Sequence, residues 1–502
     1  MGAANEAEVG ARTAVGAAWL IAWRMVTRAL GLVSTLVLAR LLVPADFGLV
    51  AMATTFAFAV EALSEIGLLE ALVRRPDTDR AAYDTAFTMQ ALRGLATGGV
   101  IAVGASALGS WFDEPRLVPL LFVLAGLAVA SGFENIGIVE FRRTLRFDVE
   151  FKLQFVPRIC QFFVTIAAAW ALQSHWALLI GIAVSKLGRL VMTYLIHPYR
   201  PGLTLSRWRE LVGFSFWTWA SSIATLVWER SDAFILGPVV GAAELGVYLL
   251  AVELAVLPVT ELVGPASRAL FAGFALLQNQ GTKLVGVALP VICALLTIIV
   301  PLAIAVSATA GQIVAVLLDP KWYGVASLVS IFAWLCVFSP FSWVSSTVLM
   351  AHGAVRRNFV AIALAAAVKA AVVYAASLTA RTDVVALAAL GCVAIESVLF
   401  LLQLRKLGDM GARAAAGGFV RVGLAGAVAV AALYLSGLGW QPPAGSSVGA
   451  LLYGASVGMA ALGICLSVQF AAWWAAGRPD GPEVQVLVYL KRFLPARPSV
   501  RL

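Results

Sequence analysis

Charged residues are scarce in this sequence. Asp, Glu, Lys and Arg together make up 13% of the 502 residues, whereas 61% of the residues are hydrophobic. A soluble domain carries about 25% charged residues, and a mean hydropathy of +0.92 is typical of a membrane protein. The composition therefore excludes a water-soluble globular protein.

Cysteine and histidine are also sparse, and neither forms a ligand pattern. The three histidines lie far apart, and the five cysteines fall singly inside apolar segments without C-x-x-C spacing. Disulfide frameworks and structural metal sites depend on such spacing. We therefore expect no disulfide, no metal and no cofactor. The cysteines are interpreted as thiols within the membrane: Cys160, Cys293, Cys336, Cys392 and Cys465.

Long apolar runs dominate the chain. Each covers about 20 residues, enough to cross a hydrocarbon core of about 30 Å. The ten-residue alternation that marks membrane barrels does not recur. Backbone polar groups inside a bilayer must be satisfied within the segment, so the runs predict helices. The prediction is an all-α integral membrane protein of about fourteen transmembrane helices, with spans near 14–38, 47–69, 86–109, 117–139, 152–172, 176–197, 212–236, 245–268, 285–308, 324–350, 357–379, 383–405, 418–438 and 448–475.

Basic residues orient these spans. With the N-terminus placed in the cytoplasm, most of the 36 Lys and Arg residues fall at inner helix ends and inner loops. Only Arg40, Arg116, Lys321 and Arg381 fall in outer loops. Cytoplasmic loops of membrane proteins are enriched in Lys and Arg, so we expect a multi-pass protein of the cell inner membrane with both termini cytoplasmic. Because the charge is spread over every inner loop, a nucleic-acid partner is not expected.

A weak internal repeat divides the chain. At a constant spacing, Asp46 and Gly48 correspond to Glu244 and Gly246. Six crossings return the chain to the same side, so two copies of a six-helix unit are parallel, as in some transporters. The repeat predicts two six-helix bundles around a central cavity plus two C-terminal helices, with lobes at 1–205 and 206–410, helices 13 and 14 at 411–475, and a cytoplasmic tail at 476–502.

Several ionisable residues lie within the predicted spans of the first lobe. Such residues cost about 2.5–3.5 kcal/mol each in a bilayer, so they face a cavity or a partner. Arg24 and Arg28 are four residues apart and share one face of their helix, as do Glu61 and Glu65. Arg93 falls at a similar depth on the third span. We interpret the three arginines as cationic lining for an anionic group such as a pyrophosphate. The two glutamates are interpreted as proton-exchanging or ion-pairing groups, and simple helix-to-helix pairing is the alternative throughout.

The second lobe has its own buried charges. Lys369 and Glu396 fall at similar depth on consecutive spans, and Glu253 lies on the eighth span. Pairing and cavity lining both remain open for these residues, which are candidates for proton or ion coupling. Lys186 and Arg189, by contrast, lie near enough to the inner surface for their side chains to extend to it, so no role in the site is expected.

A string between the first two spans resembles a known family. Residues 38–48, Leu-Ala-Arg-Leu-Leu-Val-Pro-Ala-Asp-Phe-Gly, are similar to a segment of Wzx-type polysaccharide flippases. These are polysaccharide transporters within the multidrug/oligosaccharidyl-lipid/polysaccharide exporter superfamily. The resemblance covers roughly residues 14–410. Further similar segments follow in the same order at 65–67, 71–74, 85–87, 141–147 and 319–322.

The resemblance implies a function. It implies a flippase that moves undecaprenyl-pyrophosphate-linked oligosaccharide repeat units from the cytoplasmic to the outer leaflet by alternating access, with a proton or another ion as a candidate coupling species. This step serves exopolysaccharide, capsule or O-antigen (lipopolysaccharide) biosynthesis. The implied partners are the lipid-linked glycan, the bilayer, and the polymerase and glycosyltransferases of the same pathway.

Three alternatives remain beside this interpretation. Two are transporters: a cation-coupled multidrug exporter and a flippase for a peptidoglycan precursor. The third is a membrane-bound polysaccharide polymerase or ligase. The outer loops are short, and no His-Asp, Ser-His or Asp-x-Asp arrangement lies at an outer helix end. We therefore expect no enzymatic activity.

Overall fold

The structure is a computed structural model that describes residues 30–31, 33–65, 68, 72, 79–144, 146–211, 216–279, 284–442 and 447–478. Within these ranges the chain is helical and has no strand. Ten of the described helices are long and apolar enough to cross a membrane, and a pair bent by 42° makes eleven if it forms one span. The predicted all-α membrane class is confirmed. The exact number of fourteen spans stays a prediction.

Contacts divide the chain into two compact units, Met1–Val247 and Tyr248–Leu502. This division follows packing and falls inside a long helix. The lobe boundary predicted near residue 205 follows the internal repeat, which is a different criterion. The predicted lobes, the C-terminal helix pair and the cytoplasmic tail therefore stay predictions.

The first unit begins, in the described residues, with a helix at 33–41. Most of the first predicted span, 14–38, lies outside the described residues. The long helix that begins at Phe216 bends at Gly241, whose φ of 79° and ψ of 174° are readily adopted only by glycine. The helices are α1 (Pro44–Leu63), α2 (Arg80–Trp111), α3 (Leu117–Gly132), α4 (Val139–Arg143), α5 (Phe147–Leu172), α6 (Trp176–Ile196), α7 (Trp208–Leu211) and the part of α8 (Phe216–Asn279) up to Val247. The first arm of α8 precedes Gly241, and the second arm follows it.

Small residues let α2 and α3 pack closely. A Cβ added to Gly94 would lie 2.6 Å from the Cα of Gly132. One added to Gly98 would lie 2.7 Å from the carbonyl oxygen of Ala125. Apolar side chains gain little by leaving lipid, so helices in membranes associate through small residues that allow such close approach. This contact fixes α2, which carries Arg93, against α3.

Residues 38–48, which resemble the flippase segment, pack against other helices at the predicted outer end of the first unit. The Asp46 carboxylate accepts hydrogen bonds from the backbone N–H groups of His175, at 3.0 Å, and Val43, at 3.3 Å. Gly48 leaves no room for a side chain, since a Cβ there would lie 1.7 Å from the carbonyl oxygen of Ala242. The string therefore joins α1 to the start of α6 and to the second arm of α8.

The segment after α6 is fastened to the start of α2. The Asp84 carboxylate accepts hydrogen bonds from the Gly202 N–H, at 2.7 Å, and from the Tyr199 hydroxyl. Burial and this hydrogen bond raise the pKa of Tyr199 above its ordinary value of 10. The Thr88 hydroxyl accepts a further bond from the backbone N–H of Thr204, at 3.0 Å. These bonds satisfy backbone donors of a segment that forms no helix of its own.

The second unit is built around α9. A buried apolar cluster joins α9 to α12, α15 and α16. A Cβ at Gly418 would lie 2.4 Å from the Sγ of Cys293, so α15 packs closely on α9. The last two helices therefore belong to the core of this unit. Its described helices after α8 are α9 (Ala288–Ala308), α10 (Ala310–Leu317), α11 (Val325–Phe332), α12 (Leu335–Ala351), α13 (Val355–Ser377), α14 (Thr382–Arg405), α15 (Ala412–Leu435) and α16 (Ser447–Ala475).

Candidate functional site

A polar stripe runs along α6 of the first unit. Lys186, Arg189 and Thr193 are spaced three and four residues apart, so they lie on one face of this largely apolar helix. Lys186 is ten residues from either end of Trp176–Ile196, about 15 Å along the axis from each end. Lys186 therefore lies at the middle of this helix, and its ammonium has a carboxylate of α1 as its partner. Extension of its side chain to the inner surface stays a prediction.

The end of α1 supplies that partner. Lys186 Nζ lies 2.5 Å from Glu61 Oε1, and Arg93 Nη1 of α2 lies 3.0 Å from Glu65 Oε2. Glu61 is in the last turn of α1, which contains no basic residue, and Glu65 follows four residues later. A helix C-terminus carries partial negative charge and disfavours carboxylates. The cations that neutralise both glutamates therefore come from other helices.

Both ion pairs are partly exposed. The side chains of Lys186 and Glu61 are 22% and 31% exposed. Those of Arg93 and Glu65 are 27% and 59% exposed. Charged side chains at this depth are costly in contact with lipid and normally face a water-filled cavity or a partner. The exposed side of these pairs therefore requires water or a polar ligand, as a transport cavity provides.

A third ion pair follows along the stripe. Arg189 Nε lies 3.0 Å from Glu134 Oε2. The Thr193 hydroxyl accepts a hydrogen bond from the backbone N–H of Asn135 at 3.1 Å. Asn135 is fully buried, and the Glu134 side chain is only 16% exposed. These bonds fasten the segment after α3 to α6, so we interpret this third pair as structural.

Aromatic and hydroxyl groups complete the site at the end of α1. The indole N–H of Trp219, in the first arm of α8, donates to the carbonyl oxygen of Leu63 at 3.2 Å. Leu63 ends α1, and the last carbonyls of a helix have no partner within it. The Thr97 hydroxyl of α2 donates to Ser64 Oγ at 3.0 Å. Polar groups from α1, α2, α6 and α8 thus meet around one helix end.

The second unit holds a separate polar group. Lys369 of α13 and Glu396 of α14 are buried, with 6% and 8% exposure. They interact electrostatically, and the Ser342 hydroxyl of α12 donates to Glu396 Oε2 at 3.0 Å. The structure thus brings together two residues that the sequence placed at similar depth. Glu253, the third candidate for ion coupling in this unit, is exposed on α8.

The predicted cationic lining is only partly described. Arg24 and Arg28 lie outside the described residues, and their role stays a prediction. The structure brings Arg93 and the two glutamates at the end of α1 into one site, and binding of substrate by them stays a prediction as well. Sequence reasoning missed Lys186. Its position at the middle of an apolar span, with Arg189 and Thr193 at helical spacing, is the signal that identifies it.

Known proteins resemble the chain in sequence. A family described as polysaccharide biosynthesis protein matches residues 37–327. Lipopolysaccharide biosynthesis protein WzxC of Escherichia coli (strain K12) is 25% identical over 54% of this chain and 56% of its own length. Succinoglycan biosynthesis transport protein ExoT of Rhizobium meliloti (strain 1021) is 24% identical over 52% of this chain and 53% of its own length. The chain thus spans about half the length of the curated relatives it matches.

Solved structures resemble the chain in fold. The lipid II flippase MurJ, in an inward closed conformation, has a TM-score of 0.72 at 12% identity, covering 90% of this chain and 99% of that chain. An inward-facing multidrug resistance MATE family transporter of the MOP superfamily has a TM-score of 0.55 at 14% identity, covering 76% of this chain and 94% of that chain. At such low identities the likeness shows a shared fold alone.

Proposed function

The chain belongs to the polysaccharide biosynthesis protein family, and on that premise we propose that it is a lipid-linked oligosaccharide flippase. Its substrate is an undecaprenyl-pyrophosphate-linked repeat unit, which it moves from the cytoplasmic to the outer leaflet of the inner membrane. The names of WzxC and ExoT, which refer to lipopolysaccharide biosynthesis and succinoglycan transport, support this class of substrate. Both termini are cytoplasmic, and the glycosyltransferases and polymerase of the same pathway are functional partners.

The proposal is carried by two partly exposed ion pairs in the first unit, Lys186–Glu61 and Arg93–Glu65. Lys186 offers a compact ammonium and Arg93 a planar guanidinium, and both bind phosphate oxygens. Their carboxylate partners lie at one helix end: Glu61 is in the last turn of α1, and Glu65 lies just past that end. Two cations from α2 and α6 thus meet carboxylates at the end of one helix, which suits a ligand with two linked phosphates.

The mechanism needs little else from the protein. The polyprenyl chain stays in the lipid while the headgroup and glycan cross through the polar cavity, and Arg24 and Arg28 add positive charge to that cavity. Lys369 and Glu396, a buried ionisable pair of the second unit, couple transport to a proton or another ion, with Glu253 as a further candidate. The glycan itself undergoes no chemical change.

Reconstitution of the full chain in lipid vesicles tests this function. The probe is a fluorescent undecaprenyl-pyrophosphate-linked oligosaccharide, and an impermeant quencher reports its leaflet. The wild-type protein should move the probe between leaflets, while chromatography shows an unchanged glycan. An altered glycan would identify an enzyme, and a probe that stays in its leaflet would reject the flippase.

Variants assign the movement to the site. A hydrogen bond to a charged group contributes about 1.5–3 kcal/mol, so Lys186→Gln and Arg93→Gln should each slow the movement at least about tenfold. The matched control is Arg381→Gln, which removes an exposed cation paired with Asp383 at 2.6 Å in a loop outside the site. It should move the probe at the wild-type rate.

Genetic complementation tests the two arginines of the first predicted span. In cells that lack their own flippase, the wild-type chain should restore glycan export. Arg24→Ala combined with Arg28→Ala should abolish it if both line the cavity. Intact export by that double variant would show that they do not.

A further inference from the structure

Both cations of the site already have an anionic partner. Glu61 holds Lys186, and Glu65 holds Arg93. A diphosphate that arrives at these pairs therefore meets occupied cations. It binds there only by taking them from the carboxylates.

The carboxylates are placed where they hold the cations weakly. Glu61 lies in the last turn of α1, and Glu65 comes directly after that turn. The negative end of the helix dipole disfavours both charges, and partial exposure to water weakens each ion pair. A diphosphate has linked anionic groups and accepts hydrogen bonds from both cations at once, which neither carboxylate does.

We propose that Glu61 and Glu65 set the affinity and the release rate of the substrate by competing with its diphosphate for Lys186 and Arg93. This inference rests on the proposed flippase function. In the empty protein, the carboxylates neutralise two cations that would be costly to leave bare in the membrane. In the loaded protein, the diphosphate holds both cations, and the carboxylates are hydrated in the cavity.

The exchange also explains how a tightly held anion leaves. When the carboxylates recover Lys186 and Arg93, release leaves no bare cation behind. Removal of a competing carboxylate should therefore raise the affinity for the substrate, whereas removal of a binding cation should lower it. Glu61→Gln keeps the size of the side chain and an oxygen that accepts a hydrogen bond from Lys186, but it removes the charge. The substrate should then bind more tightly and leave more slowly.

The expected changes are measurable. Each glutamate-to-glutamine change should tighten binding about fivefold, which corresponds to about 1 kcal/mol at 1.4 kcal/mol per tenfold. The double variant should show a larger gain than either single one. In the flipping assay, the variants should show a lower apparent KM together with a lower maximal rate, because bound product is held longer.

Binding is measured by isothermal titration calorimetry of the full chain in lipid nanodiscs, with undecaprenyl pyrophosphate as the probe. Glu61→Gln and Glu65→Gln are compared with the wild type. The matched control is Glu114→Gln, which removes the same charge from an ion pair with Arg116, at 2.7 Å, outside the site. Tighter binding in both site variants, with wild-type affinity in the control, supports the competition.

The outcomes separate the two proposals. A wild-type protein that neither binds nor moves the probe rejects the flippase function itself. A wild type that binds and moves it, with folded variants that bind no more tightly, rejects only the competition. Elution as a single species and a wild-type circular dichroism spectrum establish folding. If Glu61→Gln does not fold, the affinity of the more exposed Glu65→Gln variant tests the competition by itself.

Discussion

Replacement of Gly48 by alanine tests how the flippase-like string packs. A Cβ at Gly48 would lie 1.7 Å from the carbonyl oxygen of Ala242 and 2.6 Å from its carbonyl carbon. A carbon and a carbonyl oxygen in contact are about 3.3 Å apart, so the two backbones must separate by about 1.6 Å. That movement also opens the neighbouring approach of Gly246 to the carbonyl oxygen of Pro44, where a Cβ would lie at 2.1 Å. Overpacking costs about 1–3 kcal/mol. Because the clash is with backbone, which cannot rotate away, we expect about 3 kcal/mol.

Thermal unfolding of the purified protein in detergent measures this loss. Gly126→Ala is the matched control, since nothing lies within 4 Å of a Cβ at that position of α3. Alanine has the higher helix propensity, so the control should be neutral or more stable by up to about 1 kcal/mol. Gly48→Ala should unfold several degrees below the wild type. If it unfolds at the wild-type temperature, α1 does not pack on the second arm of α8 as described.

Three further predictions concern stability. Gly241→Ala should lower the free energy of unfolding by about 1–3 kcal/mol, because the φ of 79° at this bend is strained for a side chain; an unchanged unfolding midpoint would contradict this. Lys186→Met should destabilise the protein by leaving Glu61 without its cation, and adding Glu61→Gln should recover most of the loss; a double variant no more stable than the single one would argue against the pair. The hydrogen bond from Arg116 lowers the pKa of Glu114 below its ordinary value of 4.5, so this pair stabilises the fold above about pH 4.5 and loses its effect as pH falls through the lowered pKa. The wild-type melting temperature should therefore fall more steeply with acid than that of Arg116→Gln, by an amount worth less than about 1 kcal/mol for so exposed a pair.

The helices were more predictable than their ends. The second predicted span, 47–69, corresponds to α1, which ends at Leu63. Hydropathy continues past that point, but the Thr97 hydroxyl donates to Ser64 Oγ and the Trp219 indole N–H donates to the Leu63 carbonyl oxygen at the helix end. Because these partners come from α2 and α8, no local pattern in the sequence marks the end of α1.

The site was predictable in residue type but not in pairing. The four-residue spacing of Glu61 and Glu65 indicates one helix face, and Arg93 is basic within an apolar span. Their partners depend on which way each helix is rotated. In the structure Arg93 pairs with Glu65, and Glu61 pairs with Lys186. Sequence reasoning had assigned Lys186 to the membrane surface.

The sequence by itself determined the membrane class, most of the helices, and the presence of charge within the first unit. These follow from hydropathy over about 20 residues, which is a local property of the chain. Only the tertiary structure decided where Lys186 points. A Cβ at Gly181 would lie 1.9 Å from Thr165 Oγ1, so this face of α6 packs against α5. Lys186 comes five residues later, about 140° around the helix. The contact with α5 therefore turns Lys186 away from that helix and toward Glu61, a direction that depends on packing between segments distant in sequence.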